Sequence, residues 1–220
     1  PEGEGRHDVA GTDIDATQVT LDCGDWLGGA VVYPAVATTD AAGIQPYGFV
    51  AVDLNEDGHL DVAAANEGTA DVTILLGDGT GAFAPGGTLA VGDEPYALAA
   101  GDFDGDGNRD LATANHLGGS VTVWFGDGAG AYPESRTLAA GTWPVAIAAG
   151  DFDGDGRDDL AVGHLYRVDV RIFRGAASRT LAAGGTYTTG NWAIDVEVGD
   201  VDGDGNLDVA VANFQSASVS

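Results

Sequence analysis

Residues 102–110 read DFDGDGNRD, and the same pattern stands at 53–61 (DLNEDGHLD), 151–159 (DFDGDGRDD) and 200–208 (DVDGDGNLD). The openings Asp53, Asp102, Asp151 and Asp200 are 49 residues apart each time, without an insertion. The rest of the unit keeps that register. Pro46, Pro95 and Pro144 are 49 apart, and so are Asn66, Asn115, His164 and Asn213. A fixed period of this size marks an architecture whose units each bury an apolar face against the next.

Within a unit the pattern predicts strands. Apolar stretches precede the loop (96–100, 145–149) and follow it (60–65, 111–114, 160–162, 207–212). A third stretch alternates with period two, as in Val72, Ile74, Leu76 and Val121, Val123, Phe125. It ends in a Gly-Asp-Gly turn at 77–79 and 126–128, a hairpin signal. A fourth, weaker strand is expected over 88–91. No long 3.6-residue periodicity supports a helix. Four strands per unit of about 50 residues predict an all-β fold, a β-propeller of four-stranded blades with a 49-residue repeat. The register gives about four and a half blades: a partial blade at 1–46, blades at 47–95, 96–144 and 145–193, and a partial blade at 194–220. In the first, Glu2, Glu4 and Asp8 hold the places of loop residues, and the loop is incomplete. The chain opens at Pro1 and has no Met, so the expectation is a processed product or a piece of a longer ring. Further blades would come from the same chain or another.

The loop pattern D-x-[DN]-x-D-G-x-x-D carries the chemistry. Calcium takes 6–8 oxygen ligands at about 2.3–2.6 Å. Side chains at positions 1, 3 and 5 of a tight loop converge, a carbonyl at position 7 adds an oxygen, and an Asp at position 9 closes the site. The candidate ligands are Asp53, Asn55, Asp57, His59 and Asp61; Asp102, Asp104, Asp106, Asn108 and Asp110; Asp151, Asp153, Asp155, Arg157 and Asp159; and Asp200, Asp202, Asp204, Asn206 and Asp208. His59, Asn108, Arg157 and Asn206 would contribute only their carbonyls. About four calcium ions per chain are expected. Zinc and copper favour His or Cys, absent from the side-chain ligand positions. An EF-hand or dockerin loop needs a ligand at position 12, where Ala64, Thr113, Val162 and Val211 stand.

The loop, the following LDVAVAN of 207–213 and the GDGTGAF of 77–83 together resemble the FG-GAP/VCBS repeat family, and Phe125-Gly126 resembles the FG of that name. The resemblance implies a propeller like that of the integrin α subunit, with calcium loops between two strands of each blade.

Composition narrows the function. There are 35 acidic residues against 8 basic ones, all Arg, for a formal charge of -27. Phosphate binding needs a basic face, so a nucleic-acid partner is excluded. No apolar run approaches the roughly 20 residues of a membrane helix, and no direct membrane insertion is expected. Without Lys there is no P-loop and no Schiff-base chemistry. Cys23 is the only cysteine and reads as a small buried hydrophobe. His7, His59, His116 and His164 show no ligand spacing and read as loop or surface residues. Trp143 and Trp192, 49 apart, occupy the place of Gln45 and Glu94. They would either stack on a sugar ring or pack between blades. The expectation is a secreted or cell-surface protein, bacterial, that binds a glycan or an extracellular protein and is not an enzyme. The alternatives are an accessory propeller of a secreted polysaccharide-degrading enzyme and a structural spacer.

Overall fold

The computed structural model describes residues 43–220. The predicted partial blade at 1–46, with Glu2, Glu4, His7, Asp8 and Cys23, falls almost wholly outside the described residues. Those that are described form four antiparallel sheets and no helix. The first sheet is β1 (Pro46–Val52), β2 (Asp61–Asn66), β3 (Asp71–Gly77) and β4 (Phe83–Ala90). The second is β5 (Pro95–Gly101), β6 (Asp110–Asn115), β7 (Ser120–Phe125) and β8 (Glu134–Ala139). The third is β9 (Pro144–Gly150), β10 (Asp159–His164), β11 (Asp169–Ala176) and β12 (Thr180–Thr188). The last has three strands, β13 (Ala193–Gly199), β14 (Asp208–Asn213) and β15 (Ser218–Val219). Every sheet is a meander in chain order. The first strands β1, β5, β9 and β13 pack against one another in sequence, so the later strands of each sheet fan outward. This is the blade arrangement of a β-propeller.

The second strand of a blade is the one its neighbours enclose. In β2, β6 and β10 every residue is buried. That explains the run Val62-Ala63-Ala64-Ala65: a strand covered on both faces reads as continuously apolar, and small side chains let sheets approach. Three apolar clusters fill the spaces between blades. Leu54, Ile74, Leu98 and Leu111 join the first and second sheets. Phe103, Val123, Phe125, Leu160 and Phe173 join the second and third. Ala146, Val170, Ala193, Val196 and Val211 join the third and fourth.

Two expectations need correction. The fourth strand is longer than 88–91: β4 begins at Phe83 and runs through Pro85, Gly86 and Gly87. These read as breakers, but β4 is the outermost strand of its sheet, where a missing N–H costs no ladder bond. A register shift between Ile74 and Leu75 absorbs the irregularity. Second, His164 is not a surface residue. Its side chain is wholly buried, with Nε2 2.8 Å from the Ala140 carbonyl. In the other repeats this place holds Asn66, Asn115 or Asn213, whose Nδ2 bonds Thr73, Thr122 or Ser220 across the following turn. His164 meets the same need for a buried polar side chain that ties down the turn.

Burial lowers the His164 pKa, against the raising effect of its carbonyl partners. A histidine whose folded pKa lies below its unfolded value adds stability above about pH 6.5 and loses it as pH falls. Between about pH 7.5 and 5, His164→Asn is therefore expected to melt with a flatter pH dependence than the parent chain. Thermal melts of both proteins across that range check this, and parallel curves would refute it.

Candidate metal centres

Each loop hangs between the first and second strands of its blade, at one end of the sheet. The position-1 aspartate organises the turn. One oxygen of Asp102 accepts the N–H groups of Gly105 (2.8 Å) and Asp106 (3.1 Å), and the other accepts Gly107 (2.9 Å). Asp151 and Asp200 repeat these contacts. The turn forces φ to +91° at Gly107, a region in which a Cβ is strained. For Asp151, burial would raise the pKa, but the backbone donors outweigh it and hold the carboxyl below the ordinary range.

The position-9 aspartate has a second task that the sequence does not announce. Asp61, Asp110 and Asp159 are buried. Asp110 accepts Phe103 N–H (2.9 Å) on one oxygen and Gly126 N–H (2.8 Å) on the other. Asp61 and Asp159 make the equivalent pairs, to Leu54 and Gly77 and to Phe152 and Gly175. Each thus ties the calcium-type loop to the end of the third strand. The glycine at that end is required by contact: a Cβ on Gly126 would lie 2.2 Å from the Arg109 carbonyl oxygen. This is why glycine follows Phe125. In the last blade Asp208 is exposed and bonds only Val201 N–H.

The loops bring acidic oxygens together. Asp102, Asp104 and Asp110 place one carboxylate oxygen each within 4.8 Å of the others, as do Asp151, Asp153, Asp159 and Asp200, Asp202, Asp208. These are positions 1, 3 and 9. The position-5 aspartates Asp57, Asp106, Asp155 and Asp204 instead accept the position-7 N–H of His59, Asn108, Arg157 and Asn206 at 2.8–3.0 Å. In the first loop Asn55 replaces Asp, and its amide engages Asp57. There the buried Oδ1 of Asp53 has no hydrogen-bond partner, which leaves an oxygen for a cation to satisfy. Burial, with Asp104 and Asp106 nearby, pushes the Asp110 pKa up to about 7 against the opposing N–H donors. Burial raises Asp159 likewise. A divalent cation among these groups would offset that crowding. The donor set is all oxygen, so the residues fit calcium.

The loop at 102–110 is also part of the junction between the second and third blades. Asp158 of the third blade brackets Asp102: its carboxylate accepts Asp102 N–H (2.9 Å), and its N–H donates to the Asp102 carbonyl (2.8 Å). Arg179 reaches Asp104 (3.2 Å), Asp106 (3.4 Å) and Glu134 (3.5 Å) from the β11–β12 turn. Sequence reading missed both residues, because neither belongs to the repeated ligand pattern.

Trp143 and Trp192 lie at the opposite end of the strands. They immediately precede β9 and β13. There they meet two aromatic residues from the turns after β10 and β14. Trp143 packs edge-on against Tyr166 (ring centroids 5.2 Å apart), Tyr166 against Trp192 (4.6 Å), and Trp192 stacks on Phe214 (5.8 Å). Tyr166 and Phe214 carry no repeat signal. Tyr166 falls in the segment 164–167, where the repeats differ, and that difference was the only hint.

Among known proteins, the FG-GAP-like repeat family matches residues 53–113 and again 102–162. Such repeats often bind calcium and are typical of extracellular proteins, and the acidic triads could hold metal ions. No curated protein sequence matches the chain. Among solved structures, BBS1N in complex with ARL6DN, soaked with lead, is similar with a TM-score of 0.53 at 16% identity, over 81% of this chain and 56% of that one. A Bacteroides uniformis protein provisionally described as a 6-phosphogluconolactonase is similar with a TM-score of 0.53 at 16% identity, over 85% of this chain and 55% of that one. The chain thus spans little more than half the length of these two, and the likeness concerns the fold alone. With its repeated loops, its glycine-ended third strands and two overlapping family matches that together cover residues 53–162, the chain belongs to the FG-GAP-like repeat family.

Proposed function

We propose that this chain is a calcium-stabilised, non-catalytic recognition module of a secreted or cell-surface protein. It holds one calcium ion in each loop and binds a glycan or protein on the propeller face away from those loops. The observation that carries the reading is the acidic triad, built the same way in three successive repeats. A device repeated blade by blade suits a structural role better than a single reaction centre. Its oxygens are also largely committed. Position 1 accepts three N–H groups in the second to fourth blades, and position 9 accepts two in the first three. Oxygens bound both to these donors and to a cation would leave little capacity for a substrate. Calcium would neutralise the triads and rigidify the turn joining the first and second strands. The other face would then carry the residues that differ between blades, Trp143 and Trp192 among them.

Metal analysis of desalted protein is expected to give about four calcium ions per chain. Asp104→Ala, Asp153→Ala and Asp202→Ala should each remove one. Stoichiometric zinc, or no calcium at all, would reject the reading. Glycoside hydrolase and lyase assays on the same preparation are expected to show no turnover, and activity abolished by one Asp substitution would overturn the non-catalytic part.

A further inference from the structure

We infer that the aromatic row Trp143–Tyr166–Trp192–Phe214 is a binding platform for an uncharged saccharide; this rests on the recognition reading above and names its surface and ligand class. The first observation is that the backbone conformation at these positions does not depend on the rings. Residues 45, 94, 143 and 192 all have positive φ, between 52° and 62°. In each, the carbonyl accepts an N–H from the turn after the second strand, at 2.7–2.9 Å. The backbone therefore sets this conformation in every blade. It is filled by Gln45 and Glu94 in the first two blades and by Trp only in the last two. A left-handed conformation favours glycine or asparagine and disfavours bulky side chains. Tyr166 adds a third bulky ring at positive φ, 59°.

The second observation is exposure. Tyr166 is 56% exposed and Trp143 40%. The rings pack on one another, yet none is enclosed by a blade core. Trp192, between Tyr166 and Phe214, is half-buried, and a row of contiguous, largely exposed aromatics on a chain this acidic is an interaction surface.

The surroundings select the partner. Beside the rings stand Thr142, Asn191 and Gln215, exposed and uncharged. The nearby Arg167 is closed on Asp169, donating to both of its oxygens at 2.7 and 2.6 Å. The residues that flank the rings along the chain are thus aromatic, polar or paired. A pyranose ring has the matching chemistry, with a C–H face for the aromatic ring and hydroxyls for amides and hydroxyls at its edge. An anionic polymer would be repelled by a chain of formal charge -27. A cationic partner would be drawn instead to the acidic loops at the far end of the strands. The row is one ring wide and crosses from the third blade to the fourth, which suits an extended oligosaccharide.

The test uses the calcium-loaded chain on an array of neutral and acidic oligosaccharides, followed by fluorescence titration with the neutral one retained. Trp192→Gly and Tyr166→Gly remove rings while leaving a residue that accepts positive φ, so calcium content and a cooperative melt should be retained, with the melting temperature lowered only by the lost ring packing. Each is expected to weaken binding at least about tenfold, whereas Glu94→Gly, at the equivalent backbone position, should leave it unaltered. Retention of acidic glycans only, retention of none, or glycine variants that bind like the parent would overturn the platform. An empty array with calcium still bound would sink the platform and leave the calcium reading standing. Loss of calcium stoichiometry with saccharide binding intact would do the reverse.

Discussion

Chelating calcium is expected to lower the melting temperature of this chain by on the order of 20–40 °C. The loops supply sixteen side-chain ligand positions, fifteen of them Asp, and the structure holds three triads with oxygens within 4.8 Å of one another. Without a cation these groups repel. Burial first, and the nearby Asp104 and Asp106 charges after it, raise the Asp110 pKa to about 7. A ligand that binds only the folded state adds about 2.7 kcal/mol per site at a hundredfold excess over its Kd. Four independent sites add roughly 11 kcal/mol, which rivals the whole stability of an ordinary domain. At about 2–4 °C per kcal/mol for a chain of this size, the shift reaches tens of degrees. Melting the protein with excess calcium and with a chelator checks this. A shift of only a few degrees would mean that the inter-blade cores carry the fold alone.

The second large effect is expected from Asp110→Ala, and it should persist after calcium is removed. Asp110 is fully buried, and its two oxygens hold Phe103 N–H and Gly126 N–H. Truncation leaves both donors buried without a partner, at about 1–3 kcal/mol each. It also opens a gap beside the cluster of Phe103, Phe125 and Leu160. In chelator at about pH 6, where the raised pKa leaves Asp110 largely uncharged, a total loss of about 2–6 kcal/mol is expected, with a further loss in calcium as that site disappears. Asp208→Ala is the comparison. In this chain Asp208 accepts Val201 N–H alone, so its loss in chelator should be the smaller of the two. Denaturant melts of both variants with and without calcium separate the two roles. If Asp110→Ala matches the parent in chelator, the position-9 residue is a metal ligand and nothing more.

The division between sequence and tertiary structure follows the range of the interactions. The repeat of 49 residues, the strand after each loop, the glycine at position 6 and the aspartates at positions 1, 3 and 9 could all be read from the chain. They depend on contacts within one loop or on the alternation of a strand, and a repeated error is improbable over four copies. The propeller was legible for the same reason, since one unit cannot bury its second strand alone. Contacts between blades were not legible. Asp158 and Arg179 act on a loop 56 and 73–75 residues away, and no local pattern encodes that pairing. His164 read as a surface residue because its burial comes from the Ala140 carbonyl of the preceding blade. The meeting of Trp143, Tyr166, Trp192 and Phe214 was likewise decided by the stacking of the third blade on the fourth. Sequence order places Tyr166 and Phe214 in unremarked turns. Only closing the blades side by side turns four scattered rings into one surface.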